Sequence, residues 1–88
     1  MTNEQLRKYF SYKYRGKYYG QVKLNAIVFL QKKGLTQEQI AEIIYGKPNN
    51  SLVSNALKKD FVELPHWKEW VKKGLYPIES KGIKLEKI

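Results

Sequence analysis

Apolar side chains recur every three or four residues along most of this chain, which is the spacing of amphipathic helices. Thr36 and Gln39 form a capping box that starts one such helix, and Gly46 ends it. Pro48 then breaks the helical pattern, and the two asparagines that follow it are favoured caps for another helix. The spacing predicts five helices, over about residues 3–10, 22–33, 37–45, 51–59 and 65–73.

Two segments depart from this helical pattern. Residues 7–19 contain five basic and six aromatic side chains and no acid, and their alternation around Gly16 favours a β-hairpin or extended chain after the first helix. Residues 76–88 contain turn signals and short apolar alternation, which predicts a strand that includes Leu85. We therefore expect a single domain over residues 1–88 that is mainly α with a small β component.

Composition narrows the range of functions. The chain has 88 residues, with 17 lysines and arginines against 8 acidic residues, which gives a formal net charge of +9. It has no cysteine and one histidine, so disulfide frameworks, thiolate chemistry and histidine-rich metal sites are excluded, and we expect no cofactor. The longest wholly apolar run has five residues, where a membrane-spanning helix needs about 20, so we expect a cytoplasmic protein with no membrane partner. A basic folded domain predicts a polyanionic partner, with nucleic acid as the first choice.

The charge is distributed unevenly along the chain. Residues 1–34 carry eight bases and one acid, residues 35–64 carry three and four, and residues 65–88 carry six and three. Within the near-neutral middle, residues 35–45 contain Glu38 and Glu42 and no base, whereas residues 47–59 contain three lysines and no acid. A positively charged helix therefore follows a negatively charged one, which is expected if the second faces an anion and the first does not.

Residues 35–59 also carry a recognisable motif. An Ile40-Ala41 pair is followed by Gly46, and the next predicted helix contains Val53-Ser54 and then Leu57. These residues resemble the helix-turn-helix of bacterial and phage DNA-binding proteins, in which they pack the two helices and anchor the recognition helix. The turn from Gly46 to Asn50 is longer than the common three or four residues, as in winged-helix relatives. The resemblance implies a helix-turn-helix core, winged-helix-like, whose β-hairpin comes from residues 9–22 or 76–88.

The resemblance also implies a set of DNA contacts. The predicted base contacts are Asn49, Asn50, Ser51 and Asn55, because asparagine bonds adenine in a bidentate manner and serine serves several bases. The predicted backbone contacts are Lys47, Ser54, Lys58 and Lys59, together with Lys13, Arg15 and Lys17 in the N-terminal segment. The alternative for Asn49 and Asn50 is that they only form the turn and cap the helix. For residues 7–19 the alternative is a solvated edge whose aromatic rings cover the core.

These features together predict a sequence-specific double-stranded DNA-binding protein of a mobile element or low-GC bacterium, which inserts helix 51–59 into the major groove as a homodimer. Its task would be transcriptional regulation, or marking a plasmid origin of transfer or replication. One alternative is a protein that binds single-stranded DNA or RNA and stacks bases on Tyr12, Tyr14, Tyr18 and Tyr19. Another is a phage-type inhibitor that docks on an acidic protein. Catalysis and a small-molecule substrate are not expected, because the sequence has no Gly-rich phosphate loop and no Ser/His/Asp spacing.

Overall fold

The computed structural model describes residues 1–11, 18–78 and 84–88. Within these ranges the chain forms five helices and two short strands. In chain order they are α1 (Asn3–Phe10), α2 (Tyr19–Lys32), α3 (Gln37–Tyr45), α4 (Asn50–Leu57), α5 (Trp67–Lys73), β1 (Leu75–Pro77) and β2 (Leu85–Lys87). The prediction of a mainly α chain with a small β component is confirmed. In the described part of the chain, no helix is both long enough and apolar enough to cross a membrane.

The helix boundaries follow local capping signals where these exist. Thr36 and Gln39 form the predicted capping box, with Oγ1 of Thr36 accepting from the Gln39 amide at 3.2 Å. Thr2 and Gln5 form a second capping box at the start of α1, which was not predicted. Helix α2 has no side-chain cap and begins at Tyr19, three residues earlier than predicted. A buried aromatic contact, rather than a local signal, therefore sets this boundary.

That aromatic contact joins α1 to α2. Tyr19 is 2% exposed, and its ring stacks on Tyr9 with a centroid distance of 6.1 Å and meets Phe10 edge-on at 5.6 Å. The rest of the core comes mainly from the inner faces of the helices. Its fully covered members are Val22, Ala26, Ile27, Leu30, Ile40, Ala41 and Val53. Trp67, Trp70 and Val71 are buried in the same cluster, so the apolar stripe of α5 is part of the core.

The two strands form an antiparallel pair in the C-terminal segment, with Tyr76 opposite Glu86. The hydroxyl of Tyr9 donates to the Leu75 carbonyl at 2.6 Å and ties this pair to α1. Of the two segments predicted to supply a hairpin, residues 76–88 contain β2 and all of β1 except its first residue, Leu75. The prediction for residues 9–22 is wrong at both ends, because residues 9–10 belong to α1 and residues 19–22 to α2, while residues 12–17 lie outside the described part.

An extended segment, residues 60–64, connects α4 to α5, and we refer to it as the strap. Gln21 on α2 donates from Nε2 to the Asp60 carbonyl at 2.9 Å and accepts at Oε1 from the Val62 amide at 3.1 Å. One turn later, Asn25 donates from Nδ2 to the Val62 carbonyl at 2.8 Å and accepts at Oδ1 from the Leu64 amide at 3.1 Å. These two side-chain amides bond alternate residues of the strap, as a neighbouring β-strand would.

Candidate nucleic-acid interface

The unit formed by α3 and α4 contains most of the predicted contact residues. Helix α3 ends at Tyr45 and α4 begins at Asn50, so the turn consists of residues 46–49. The prediction of a longer turn is therefore wrong, because Asn50 is already helical and Asn49 is the cap. Gly46 adopts a left-handed conformation with φ of 78°, and its amide donates to the Glu42 carbonyl at 3.1 Å. A turn of this length lies in the common range for two helices that pack at a steep angle.

The inner side of α4 is fixed by packing. Val53 of α4 and Ala41 of α3 are fully buried, and Ala56 and Leu57 pack against the same cluster. Among the elements that the structure describes, α3 and α4 have the most extensive mutual contact. A small side chain at position 41 allows the backbones of the two helices to approach closely. The orientation of α4, and so of its outer side, is therefore determined by the core.

The outer side of α4 presents Ser51, Asn55 and Lys58, and we refer to these three side chains as the α4 face. All three are exposed, as expected for positions one and two turns apart on a helix. The Asn55 side chain makes no hydrogen bond to any residue in ranges 1–11, 18–78 or 84–88, so its amide is available to a ligand. Ser54 is half-buried at the edge of this face.

The two asparagines at the start of α4 have different roles. Oδ1 of Asn49 accepts from the Ser51 amide at 3.1 Å, so Asn49 caps the helix. Asn50 is exposed and is the first helical residue. The capping alternative considered for both residues therefore holds for Asn49, whose Nδ2 group is still able to donate. Asn50 does not cap α4, and it is exposed.

Positive charge flanks the α4 face at both ends. Lys47 lies in the turn before α4, and Lys58 and Lys59 follow its last residue; all three are exposed. Residues 46–59 contain no acid, and the three lysines form no ion pair with any carboxylate in the described part of the chain. By contrast, Glu38 and Glu42 are exposed on α3. The charge pattern predicted from the sequence is therefore present as a difference between two adjacent helices.

The structure describes only some of the N-terminal residues that were predicted to contact nucleic acid. Lys13, Arg15 and Lys17 lie outside the described residues, as do Tyr12 and Tyr14. Tyr19 is buried, and its hydroxyl donates to the Tyr9 carbonyl at 3.3 Å. The prediction that Tyr19 stacks on a nucleic-acid base is therefore wrong, because its ring is covered by the core.

Shifted pKa values have structural explanations. Burial raises the pKa of Tyr9, with further contributions from the neighbouring phenols of Tyr19 and Tyr76. Burial also raises the pKa of Tyr45. The hydrogen bond from Lys73 lowers the pKa of Glu69. None of these groups lies on α4.

The described part of the chain contains no group of three histidine, cysteine or acidic side chains close enough together to hold a metal ion. A scan against protein-family models and searches of curated proteins and of solved structures found no match to this chain.

Proposed function

We propose that this protein binds double-stranded DNA in a sequence-dependent manner by placing α4 in the major groove, with α3 and α4 acting as a helix-turn-helix. The observation that carries the proposal is the α4 face. Its polar side chains are exposed on a helix whose opposite side is locked into the core, and lysines flank it at both ends. The major groove is about 12 Å wide and accepts a helix with its side chains.

Each contact follows from the chemistry of the side chain. Asn55 has both an amide donor and a carbonyl acceptor available, which match the two edge groups of adenine. Ser51 and Asn50 add donors and acceptors at the N-terminal end of α4, where recognition helices contact bases. Lys47, Lys58 and Lys59 pair with phosphates and fix the register without reading sequence. Asn49 caps α4 through its carbonyl oxygen, so it contributes at most its Nδ2 donor.

The architecture supports the helix-turn-helix assignment in two ways. The four-residue turn and the extensive contact between α3 and α4 are what the two packed helices of this motif need. The antiparallel pair of β1 and β2 follows α4 along the chain, as a wing follows a recognition helix. Helix α5 lies between α4 and β1, which departs from the usual winged-helix order.

A homodimer on DNA completes the proposal, because one α4 covers a single half-site and symmetric operators need two copies. The task would be transcriptional regulation or marking a plasmid origin of transfer or replication. Both tasks use the same contacts, and the proposal assigns no catalytic role to any residue.

The first test is selection of binding sites from a random duplex library at about 0.15 M salt, where nonspecific phosphate binding is weakened. We expect one motif to be enriched, and a dimer should select two half-sites about 10 base pairs apart. Retention of DNA without enrichment would contradict base readout by α4. If the protein retained single strands but no duplex, the single-strand alternative would replace the proposal.

The second test uses two variants on the selected site. Asn55→Ala should weaken binding by about 1–3 kcal/mol and relax preference at one base position, whereas Lys58→Gln should weaken all sequences alike and lower the salt slope by about one. Asn3→Ala and Lys8→Gln make the same kinds of change on α1 and serve as controls. If Asn55→Ala lost equal affinity on selected and scrambled DNA, Asn55 would not read a base.

A further inference from the structure

A second basic surface lies between the C-terminal end of α2 and helix α5. It is a concavity of about 730 Å³ whose walls include Phe29 and four lysines. We refer to Phe29, Lys33, Lys68 and Lys72 as the Phe29 cluster. Lys33 and Lys68 are 35 positions apart in the sequence, so only the fold brings them together.

The Phe29 ring organises this cluster. Phe29 meets the buried Trp67 ring edge-on at a centroid distance of 5.8 Å, which fixes its orientation. The ammonium group of Lys33 lies 4.6 Å from the Phe29 centroid, and that of Lys68 lies 4.4 Å from it. Both are within cation–π distance. The two ammonium groups are therefore at most about 9 Å apart, although like charges at this distance repel each other.

The three lysines of the cluster outnumber the acids described beside it, which are Glu69 in the same concavity and Glu63 in the adjoining one. Glu69 is the acidic residue in the wall of the concavity, and it is bound to Lys73 at 2.7 Å. Lys33, Lys68 and Lys72 have no ion pair with a carboxylate in the described part of the chain. Lys33 and Lys72 stand near helix C-terminal ends, where the helix dipole favours a cation. Lys68 lies in the first turn of α5, where the helix dipole does not favour a cation.

The surface continues towards α4. A neighbouring concavity of about 260 Å³ shares Phe29 and Lys68 with the first, and its walls also include Lys32, Phe61 and the acid Glu63. Phe61 is 49% exposed and belongs to the strap that follows α4. Basic residues therefore lie at both ends of the strap, Lys59 before it and Lys68 after it, with the exposed acids Asp60 and Glu63 between them.

We propose that the Phe29 cluster binds the phosphate backbone of duplex DNA and extends the contact beyond α4. Charge complementarity identifies the partner, because a group of exposed lysines on two helices, with no ion pair in the described part of the chain, matches an anion that repeats along a polymer. A small anion would instead require a pocket with convergent buried polar groups, and all of these lysines are exposed. The inference rests on the proposed function in one respect, namely that the ligand is DNA.

The test measures duplex affinity by fluorescence anisotropy across a range of salt concentrations. The double variant Lys33→Gln/Lys68→Gln removes two charges from the cluster. At about 0.15 M salt it should lose roughly 30-fold in affinity, and its salt slope should fall by about two, if each lysine neutralises one phosphate. The matched control is Arg7→Gln/Lys8→Gln, which removes two charges from α1 and should leave the slope nearly unchanged.

A further variant tests whether the positions of the two lysine ammonium groups contribute to binding in addition to their charge. Phe29→Leu keeps every charge and removes the ring that holds the two ammonium groups, so we expect a loss of about fivefold, comparable to one phosphate contact. Thermal unfolding of each variant checks that the fold is intact. An unchanged affinity for Phe29→Leu, with its fold intact, would contradict the role of the ring.

The outcomes distinguish this inference from the proposed function. If wild-type protein binds duplex and Lys58→Gln weakens binding, but the cluster variant behaves like its control, the cluster assignment alone fails. If wild-type protein binds no duplex, both fail. A loss confined to single-stranded oligonucleotides would assign the cluster to a single strand and overturn the duplex proposal for it. A last measurement is an NMR titration with inorganic tripolyphosphate. If it saturated the shift changes of Lys33 and Lys68 at a concentration far below that required of duplex, the ligand of the cluster would be a free anion instead.

Discussion

Asn25 should contribute far more to stability than Gln21, although each forms two hydrogen bonds to the strap. Asn25 is 4% exposed, and its bond from the Leu64 amide is buried. Asn25→Ala leaves the Val62 carbonyl and the Leu64 amide without partners, and each such group costs about 1–3 kcal/mol when it is shielded from water. We therefore expect Asn25→Ala to lower the free energy of unfolding by about 3 kcal/mol, from a total of roughly 5–15 kcal/mol.

Gln21 is the matched comparison. Its two bonds, to the Asp60 carbonyl and from the Val62 amide, are at exposed positions. Water replaces a lost partner there, so Gln21→Ala should cost at most about 1 kcal/mol. The assay is urea unfolding followed by the fluorescence of the two buried tryptophans, Trp67 and Trp70. Equal costs for the two variants, or a cost below about 1 kcal/mol for Asn25→Ala, would refute the assignment of the difference to burial.

Asn25→Asp tests the direction of the hydrogen bonds. The substitution keeps an acceptor for the Leu64 amide but places a carboxylate against the carbonyls of Gln21 and Val62, to which Nδ2 now donates. Burial and this carbonyl pair favour the protonated carboxyl, which can donate, so its pKa in the folded state should be raised. The variant should therefore be more stable near pH 4 than near pH 7, relative to wild type. The opposite ranking in urea unfolding would contradict the placement of this side chain against the two carbonyls.

Two further predictions concern the turn and the aromatic contact. Gly46→Ala should destabilise the protein by about 1–2 kcal/mol. The cost comes from the left-handed backbone alone, because a Cβ atom there would meet no atom within 4 Å from the described part of the chain, its immediate neighbours aside. Gly46→Asn should cost less in the same thermal unfolding assay. Since burial raises the pKa of Tyr9 above its unfolded value, stability should be intact below about pH 10 and fall as pH rises beyond it. Tyr9→Phe should flatten that alkaline decline, and an unchanged decline would assign it to other groups.

Local signals were sufficient to predict α3 and the outer side of α4. The capping box at Thr36 and the glycine at position 46 each act within one helical turn, so no tertiary contact is needed to identify them. The exposed positions of Ser51, Asn55 and Lys58 follow from helical spacing in the same way. For adjacent asparagines, however, capping preference does not distinguish one from the other. The hydrogen bond from the Ser51 amide identifies Asn49 as the cap.

Contacts between distant residues could not be predicted. The start of α2 depends on the burial of Tyr19 against α1, and the sequence around it contains no cap. The strap is bonded to side chains 37 to 41 positions away, and its polar residues give no periodic signal. The Phe29 cluster likewise joins α2 to α5. In each case the stabilising energy comes from contacts between residues that are far apart in the sequence, and these contacts override or replace local propensity.

One row of side chains on α2 connects these long-range features. Gln21, Asn25, Phe29 and Lys33 are spaced four residues apart, so they lie one above another on the same side of the helix. The first two bond the strap that follows α4, and the last two belong to the Phe29 cluster. The opposite side of α2 is covered by the core, which fixes the row in place. A variant that frees the strap, such as Asn25→Ala, should therefore shift the end of α4 relative to the cluster and weaken duplex binding more than its loss of stability explains.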